Sequence, residues 1–188
     1  MKLLFSMLAL VLLVVCGAFA QVVLPAGTSQ ASNAGEYGVL NLFVAVNNPM
    51  GDGAMELKIN YVEPKTMDQE TYHFYHLTFA DRDKLVKLVQ SAVRYVDVAS
   101  TNKVTDPLYW RVGNIMTSDG VDVIANFDGT NGYNSCSIEL YFRDGGNNIN
   151  VRFSKAEIQS FCDSLENAST VATEYTRQIA LFDSVRSN

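Results

Sequence analysis

The sequence is poor in the residues on which disulfide frameworks, metal sites and nucleic-acid interfaces depend. It has 3 cysteines, 2 histidines and 1 tryptophan in 188 residues, and 14 Lys and Arg against 20 Asp and Glu, for a formal net charge of −6. The low cysteine count excludes a disulfide-dense miniprotein. The acidic balance argues against a nucleic-acid binder, which needs basic residues to neutralise phosphates. An apolar content of 48% excludes a disordered chain and is sufficient for a domain core.

The first 20 residues have the pattern of an export signal. Lys2 provides a positive start, residues 3–15 are almost entirely apolar, and an A-x-A cleavage motif ends at Ala20. We predict cleavage between Ala20 and Gln21, which gives a periplasmic, cell-surface or secreted protein. No later segment approaches the length of a transmembrane helix, so we predict no membrane span in the mature chain.

The remainder is predicted to be a short leader followed by one folded domain. Residues 21–36 are small and polar and are interpreted as a leader or linker. Residues 37–188 are predicted to be a single α+β domain of two units, about 37–97 and 108–183. In each unit, short runs of alternating apolar and polar residues predict an antiparallel strand meander, which is followed by a covering helix.

Apolar residues three and four positions apart predict both helices. The first helix spans about 81–97 and follows a predicted strand over 71–79. The second opens with the capping box Ser154-x-x-Glu157 and is either one long helix or two with a break near 169–170.

The two units resemble each other in pattern. Their strands match at an offset of 74 residues, as in Leu77 with Val151, and their helices at 73, as in Leu85 with Ile158. A diverged duplication and a shared periodicity both explain the match. The element order resembles the duplicated ββββα units of the PUR and whirly families of single-strand nucleic-acid binders, over about residues 37–183. The resemblance implies the fold only, because the charge and the export signal differ and the first unit shows three clear strands instead of four.

Two cysteines remain in the predicted mature chain, Cys136 and Cys162. An even number of cysteines in an exported chain is typical of a disulfide. Cys136 begins a predicted strand and Cys162 lies on the apolar stripe of the second helix, so both are expected to point into the core. A bridge needs Cα atoms within about 7 Å, and the sequence leaves a disulfide and two buried thiols as alternatives.

The sequence contains no pattern that specifies a reaction. His73 and His76 are three apart on a predicted strand, so their side chains point to opposite faces and do not share a metal ion. The acidic turn residues between 119 and 144 lack the spacing of a calcium loop. Neither a nucleophile motif nor a glycine-rich phosphate loop is present. We therefore predict no catalytic residue, metal or cofactor, although a pair of carboxylates assembled through space stays an alternative.

Aromatic residues give the best functional lead. Alternation in the strand over 71–79 places Tyr72, Phe74 and His76 on the face away from the helix, where the second unit has Asn and Arg. Tyr109 and Trp110 form a second exposed aromatic candidate. Such a patch is typical of a partner or ligand surface, unless the two meanders pack together and bury it.

We predict an exported binding or interaction protein whose partner is an unknown protein or small ligand, without nucleic acid. One alternative is a secreted hydrolase that uses paired carboxylates. Another is an inhibitor or assembly subunit that acts through a strand edge or the aromatic patch. The sequence does not specify the oligomeric state.

Overall fold

The computed structural model describes residues 21–33, 36–47, 54–62 and 72–186. In chain order the elements are β1 (Gln21–Asn33), β2 (Glu36–Asn47), β3 (Met55–Val62), β4 (Tyr72–Leu77), α1 (Phe79–Thr101), β5 (Tyr109–Met116), β6 (Asp122–Asp128), a 3₁₀ turn (Tyr133–Ser135), β7 (Ser137–Asp144), β8 (Asn147–Phe153) and α2 (Lys155–Arg186). The α+β class is confirmed, with two strand meanders that are each followed by a helix. Over the described residues, neither helix is long and apolar enough to cross a membrane.

The eight strands form one antiparallel sheet in the order β4-β3-β2-β1-β8-β7-β6-β5. β1 and β8 join the two four-stranded halves at the residue pair Ser32 and Arg152. In a flat sheet β4 and β8 would lie about 19 Å apart, at four strand spacings of about 4.8 Å. Instead, the side-chain amide of Asn147 in β8 donates to the Phe74 carbonyl of β4 at 3.0 Å. The sheet is therefore strongly curved, and the inner faces of both halves share one core with the helices.

Each helix covers strands of the other unit. α1 packs mainly against β5 and β6, where the rings of Tyr95 and Phe127 lie 6.1 Å apart. α2 packs mainly against β1, and its Asn167 side chain donates to the Ala26 carbonyl at 2.7 Å. This crossing ties the two units into a single core and leaves the outer face of each half free of helices.

The prediction of a leader or linker over residues 21–36 is wrong, because Gln21–Asn33 forms β1. The small residues that suggested a linker are needed for close packing under α2. Ala26 and Ala31 are buried, and a Cβ on Gly27 would lie 2.1 Å from Oγ of Ser164. With β1 included, the first unit has the fourth strand that the sequence pattern did not show.

The boundary between β4 and α1 also differs from the prediction. β4 ends at Leu77, and Thr78 caps α1 by accepting a hydrogen bond from the Asp81 N–H at 3.1 Å. Phe79 is therefore the first residue of α1, and the strand predicted over 71–79 is wrong at its end.

The helices themselves are longer than the periodicity indicated. α1 has 23 residues, and α2 is one unbroken helix of 32 residues, without the break considered near 169–170. The two helices begin 76 residues apart. Aligning their first residues pairs the buried Leu85 with Phe161 and Val89 with Leu165, while the offset of 73 from the apolar stripes pairs buried residues as well, such as Leu85 with Ile158.

Asp81 fastens the start of α1 to the turn between β5 and β6. Its fully buried carboxylate accepts hydrogen bonds from the Thr78 hydroxyl at 2.8 Å, Lys84 at 2.8 Å and the Ser118 N–H at 2.9 Å. Burial alone would raise the pKa of Asp81. These hydrogen bonds outweigh it and hold the pKa well below its usual range.

Candidate functional site

The outer face of β1–β4 carries the predicted aromatic residues of the first unit. Phe74 is 50% exposed, and the His76 imidazole lies 3.3 Å from the Glu56 carboxylate, both in accord with an outward orientation. Tyr72 lies in β4, but its side chain is outside the described part of the structure. Tyr37 and Val39 add exposed apolar surface to this face. The alternative in which packed meanders bury Phe74 is therefore wrong, because only the inner faces meet.

Tyr109 and Trp110 do not form one patch. They are consecutive residues of the edge strand β5 and point to opposite faces. Trp110 is the partner of Phe127 on the inner side, whereas Tyr109 is the partner of Asp128 on the outer side. Both side chains are more than half exposed, so they belong to two different surfaces.

The outer face of β5–β8 contains a hydrogen-bond network centred on Glu139. This side chain is almost completely buried, although it lies on the face without helices. The hydroxyls of Tyr109 and Tyr141 donate to its Oε2 at 2.9 and 3.1 Å. The Arg152 guanidinium donates to its Oε1 through Nε at 3.2 Å and Nη2 at 2.5 Å. The buried Glu139 carboxylate thus holds the side chains of Tyr109, Tyr141 and Arg152 in place.

Asp128 extends the network. Its Oδ2 lies 2.9 Å from Arg152 Nη2, and its Oδ1 accepts from the Thr130 N–H and hydroxyl at 3.0 and 2.7 Å. Two buried carboxylates therefore share one half-exposed guanidinium. Removing the cation would leave both charges without compensation, which is costly in a buried site.

The environment shifts the pKa values of two members. Burial, the neighbouring Tyr141 hydroxyl and the bond to Glu139 raise the pKa of Tyr109. The hydrogen bonds to Glu139 raise the pKa of Arg152 further above its already high value. At neutral pH the phenol stays a donor and the guanidinium stays charged, so the network has one fixed pattern of donors and acceptors.

Exposed polar side chains surround this network. Arg111 and Arg143 are exposed, and the Arg143 guanidinium lies 5.9 Å from the centre of the Tyr141 ring. The side-chain Oδ1 of Asn150, on the same face, is buried and has no hydrogen-bond partner among the described residues. A buried polar atom without a partner costs about 1–3 kcal/mol, so this position is suited to a bound water or a ligand group.

The carboxylate pair does not have the form of a hydrolase site. Every oxygen of Glu139 and Asp128 already accepts a hydrogen bond from a phenol, a guanidinium, a hydroxyl or a backbone N–H within the protein. The two carboxylates therefore hold the exposed side chains of the network in position and are not directed at a reacting group.

A cavity of about 290 Å³ lies elsewhere, between β3, α1 and α2. Its lining consists of Met55, Phe79, Ser169, Ala172, Thr173 and Thr176. None of these side chains is ionisable, so this cavity does not provide acid–base groups either.

Histidine and cysteine positions show no metal or disulfide chemistry. The imidazole of His73 contacts the Asn147 side chain at 3.0 Å, away from His76. Among the described residues, no group of three His, Cys, Asp or Glu side chains could hold a metal ion. Cys136 is half-buried just before β7 and Cys162 is buried in α2, and both are free thiols. The disulfide alternative is therefore not realised in the structure.

The network was not predicted from the sequence. Its members come from four strands, at positions 109, 128, 139, 141 and 152, and only strand register brings them together. One local signal was available. Glu139 and Tyr141 alternate with the core residues Ile138, Leu140 and Phe142, which marks them as the outer side of a strand.

No protein-family model, curated protein or solved structure matches this chain, so the candidate site stands on its own geometry.

Proposed function

We propose that this is an exported binding protein whose ligand site is the outer face of β5–β8. The observation that supports this proposal is the network under Tyr109 and Arg152. A buried carboxylate holds both side chains in place on a face that no helix covers. Side chains fixed before binding lose less conformational entropy when a ligand arrives, which favours affinity.

Export is part of the same proposal. Gln21, the residue after the predicted cleavage point, lies in β1, and its side chain accepts from Lys58 at 2.8 Å. Cleavage after Ala20 would retain Gln21 and this contact in the mature chain. The paired-carboxylate hydrolase stays a weaker alternative, because both carboxylates already bind the Arg152 guanidinium.

Backbone amide NMR shifts test the binding proposal. The purified protein is titrated separately with amino acids, nucleotides, a single-stranded oligonucleotide and short neutral oligosaccharides. We expect at least one class to shift amides of β5–β8 on the outer face, and Tyr109→Ala to weaken that binding. Tyr37→Ala is the matched control, since it removes an exposed tyrosine from the other half. Binding that Tyr109→Ala leaves unchanged would contradict the site.

Assembly through the β5 edge is the second candidate function. Trp110 and Met116 of this terminal strand, and Leu108 just before it, are each 45–59% exposed. An unpaired edge with apolar side chains favours pairing with another strand, such as β5 of a second copy. Light scattering over a concentration series tests this. Trp110→Lys is expected to abolish any dimer that the wild-type protein forms, and a wild-type protein that stays monomeric would refute the candidate.

A further inference from the structure

We infer that the ligand of this face is a neutral oligosaccharide. The inference rests on the proposed binding function and names its substrate class. It follows from four properties of the outer face of β5–β8, which are its charge balance, its amide groups, its fixed aromatic ring and its open shape.

The charges on this face are balanced. Strand alternation places three arginines and three acids on it, namely Arg111, Arg143, Arg152, Asp122, Asp128 and Glu139. A polyanion such as a nucleic acid requires an excess of basic residues to replace its counterions. The formal net charge of −6 over the whole chain adds a repulsive field. A ligand without net charge fits this face better.

Amide side chains supply both donors and acceptors. Four asparagines lie on the face, namely Asn114, Asn126, Asn148 and Asn150. Each amide donates and accepts at once, as does each hydroxyl group of a sugar. Asn126 sits beside Arg111 and Glu139 in one row of the sheet. In β8, the buried Oδ1 of Asn150 has no hydrogen-bond partner among the described residues, and Arg152 follows two positions later on the same face. A ligand hydroxyl that donates to Asn150 would satisfy this oxygen beside the Arg152 guanidinium.

Tyr109 presents a ring whose position is fixed. Its hydroxyl is held by Glu139 at 2.9 Å, while half of the side chain is exposed. An aromatic face packs well against the apolar C–H face of a pyranose ring. Because the hydroxyl is already used inside the protein, the ring itself is the part that remains for a ligand.

The shape of the face favours an extended ligand. From β5 to β8 the outer face spans three strand spacings, about 14 Å in total. Arg111 lies at one side of this width and Arg152 at the other. Small isolated ligands are usually enclosed in a cavity, whereas an open face of this width contacts several units of a chain.

Titration with defined hexasaccharides tests the inference. Cellohexaose, chitohexaose and mannohexaose are added separately to the purified protein, and binding is followed by calorimetry and amide NMR. We expect at least one of them to bind with shifts centred on Arg111, Asn126 and Tyr141. Tyr109→Ala should weaken that binding about tenfold, the equivalent of one lost aromatic contact. Asn150→Ala should weaken it by a smaller factor.

The controls separate this inference from the proposed function. Tyr37→Ala should leave the affinity within about twofold, since the change lies on the other half. If the hexasaccharides do not bind but an amino acid or nucleotide shifts the same amides, the oligosaccharide is wrong and the binding face stands. If no probe of any class shifts this face, the proposed function fails as well. An oligonucleotide that binds more tightly than every sugar would overturn the charge argument.

Discussion

The outer faces of the two halves of the sheet differ sharply, although their inner faces are alike. On the inner side both halves present buried apolar residues, such as Tyr75 and Leu77 in β4 and Val151 and Phe153 in β8. On the outer side β1–β4 exposes apolar Phe74, whereas β5–β8 places exposed arginines above buried carboxylates. The inner faces are constrained by one shared core. The outer faces are free of helices, so their side chains are available for function.

Aligning the two helices at an offset of 76 residues also matches positions in the strands that precede them. In this alignment Phe74 corresponds to Asn150, and His76 corresponds to Arg152. The contact of His76 with Glu56 is half-exposed, whereas Arg152 binds carboxylates that are almost fully buried. A cation bound to buried carboxylates on one face and a partly exposed polar pair on the other should respond differently to substitution.

Removing one paired cation from each outer face should give the largest effect. We expect Arg152→Met to lower the free energy of unfolding by about 3 kcal/mol, because Glu139 and Asp128 are left buried without a cation. Lys58→Met, on the outer face of β3, should cost less than about 1 kcal/mol, since its partner Glu56 is partly solvated. Urea unfolding at pH 7 measures both. Equal losses in the two variants would show that the network is no more deeply anchored than the surface pair.

The contact between Asp81 in α1 and the turn between β5 and β6 should be sensitive to pH. We expect Asp81→Asn to lower the free energy of unfolding by about 2 kcal/mol at pH 7, because three hydrogen bonds to a buried charge are weakened. The folded pKa of Asp81 lies below its unfolded value. Its stabilisation is therefore complete above about pH 5 and is lost as the pH falls below about 4.

Unfolding curves of the wild-type protein and Asp81→Asn at a series of pH values measure this loss. The difference between the two proteins should shrink below about pH 4. Asp83→Asn is the control, since Asp83 is an exposed neighbour in the same helix turn. A difference that stays constant down to pH 2 would contradict the role of the charge.

Sequence periodicity was sufficient to predict the helices and most strands, but it did not predict β1 or the hydrogen-bond network around Glu139. α1 and α2 bury continuous apolar stripes, which a 3.6-residue period reveals. β1 has Gly27 and Ala31 where a strand usually carries large residues, because α2 approaches its backbone closely. That approach is a tertiary contact between residues more than 130 positions apart, such as Thr28 and Ser160. A local sequence pattern does not reveal a contact between residues so far apart in the chain.

The candidate site was predictable only in part. The outward orientation of Phe74 follows from alternation alone, since β4 is a regular strand. The meeting of Tyr109, Glu139 and Arg152 depends on the registers of β5 to β8, which turn lengths and core packing fix together. The grouping of Tyr109 and Trp110 as one aromatic surface was wrong, because these consecutive residues lie on opposite faces of one strand.

The aromatic residues of the two outer faces should differ modestly in their contribution to stability. We expect Tyr109→Phe to cost about 1 kcal/mol, since Glu139 loses a hydrogen-bond donor while the ring is kept. Phe74→Leu should change the free energy of unfolding by less than about 0.5 kcal/mol, because half of the ring is already in water. Thermal unfolding of both variants is the measurement. A larger loss in Phe74→Leu would mean that the outer face of β1–β4 is also structurally constrained.

The two cysteines should have the smallest effect on stability, because no disulfide bond joins them. Intact mass after alkylation without a reductant is expected to show both Cys136 and Cys162 modified in the unfolded protein, and a reductant should not change the melting temperature. In the native protein Cys162 should react more slowly than Cys136. Burial and the nearby Glu166 and Asp163 raise the pKa of Cys162 to about 11, so little thiolate is present at pH 8. A mass two hydrogens lower before reduction would establish a disulfide and would contradict the free thiols of the structure.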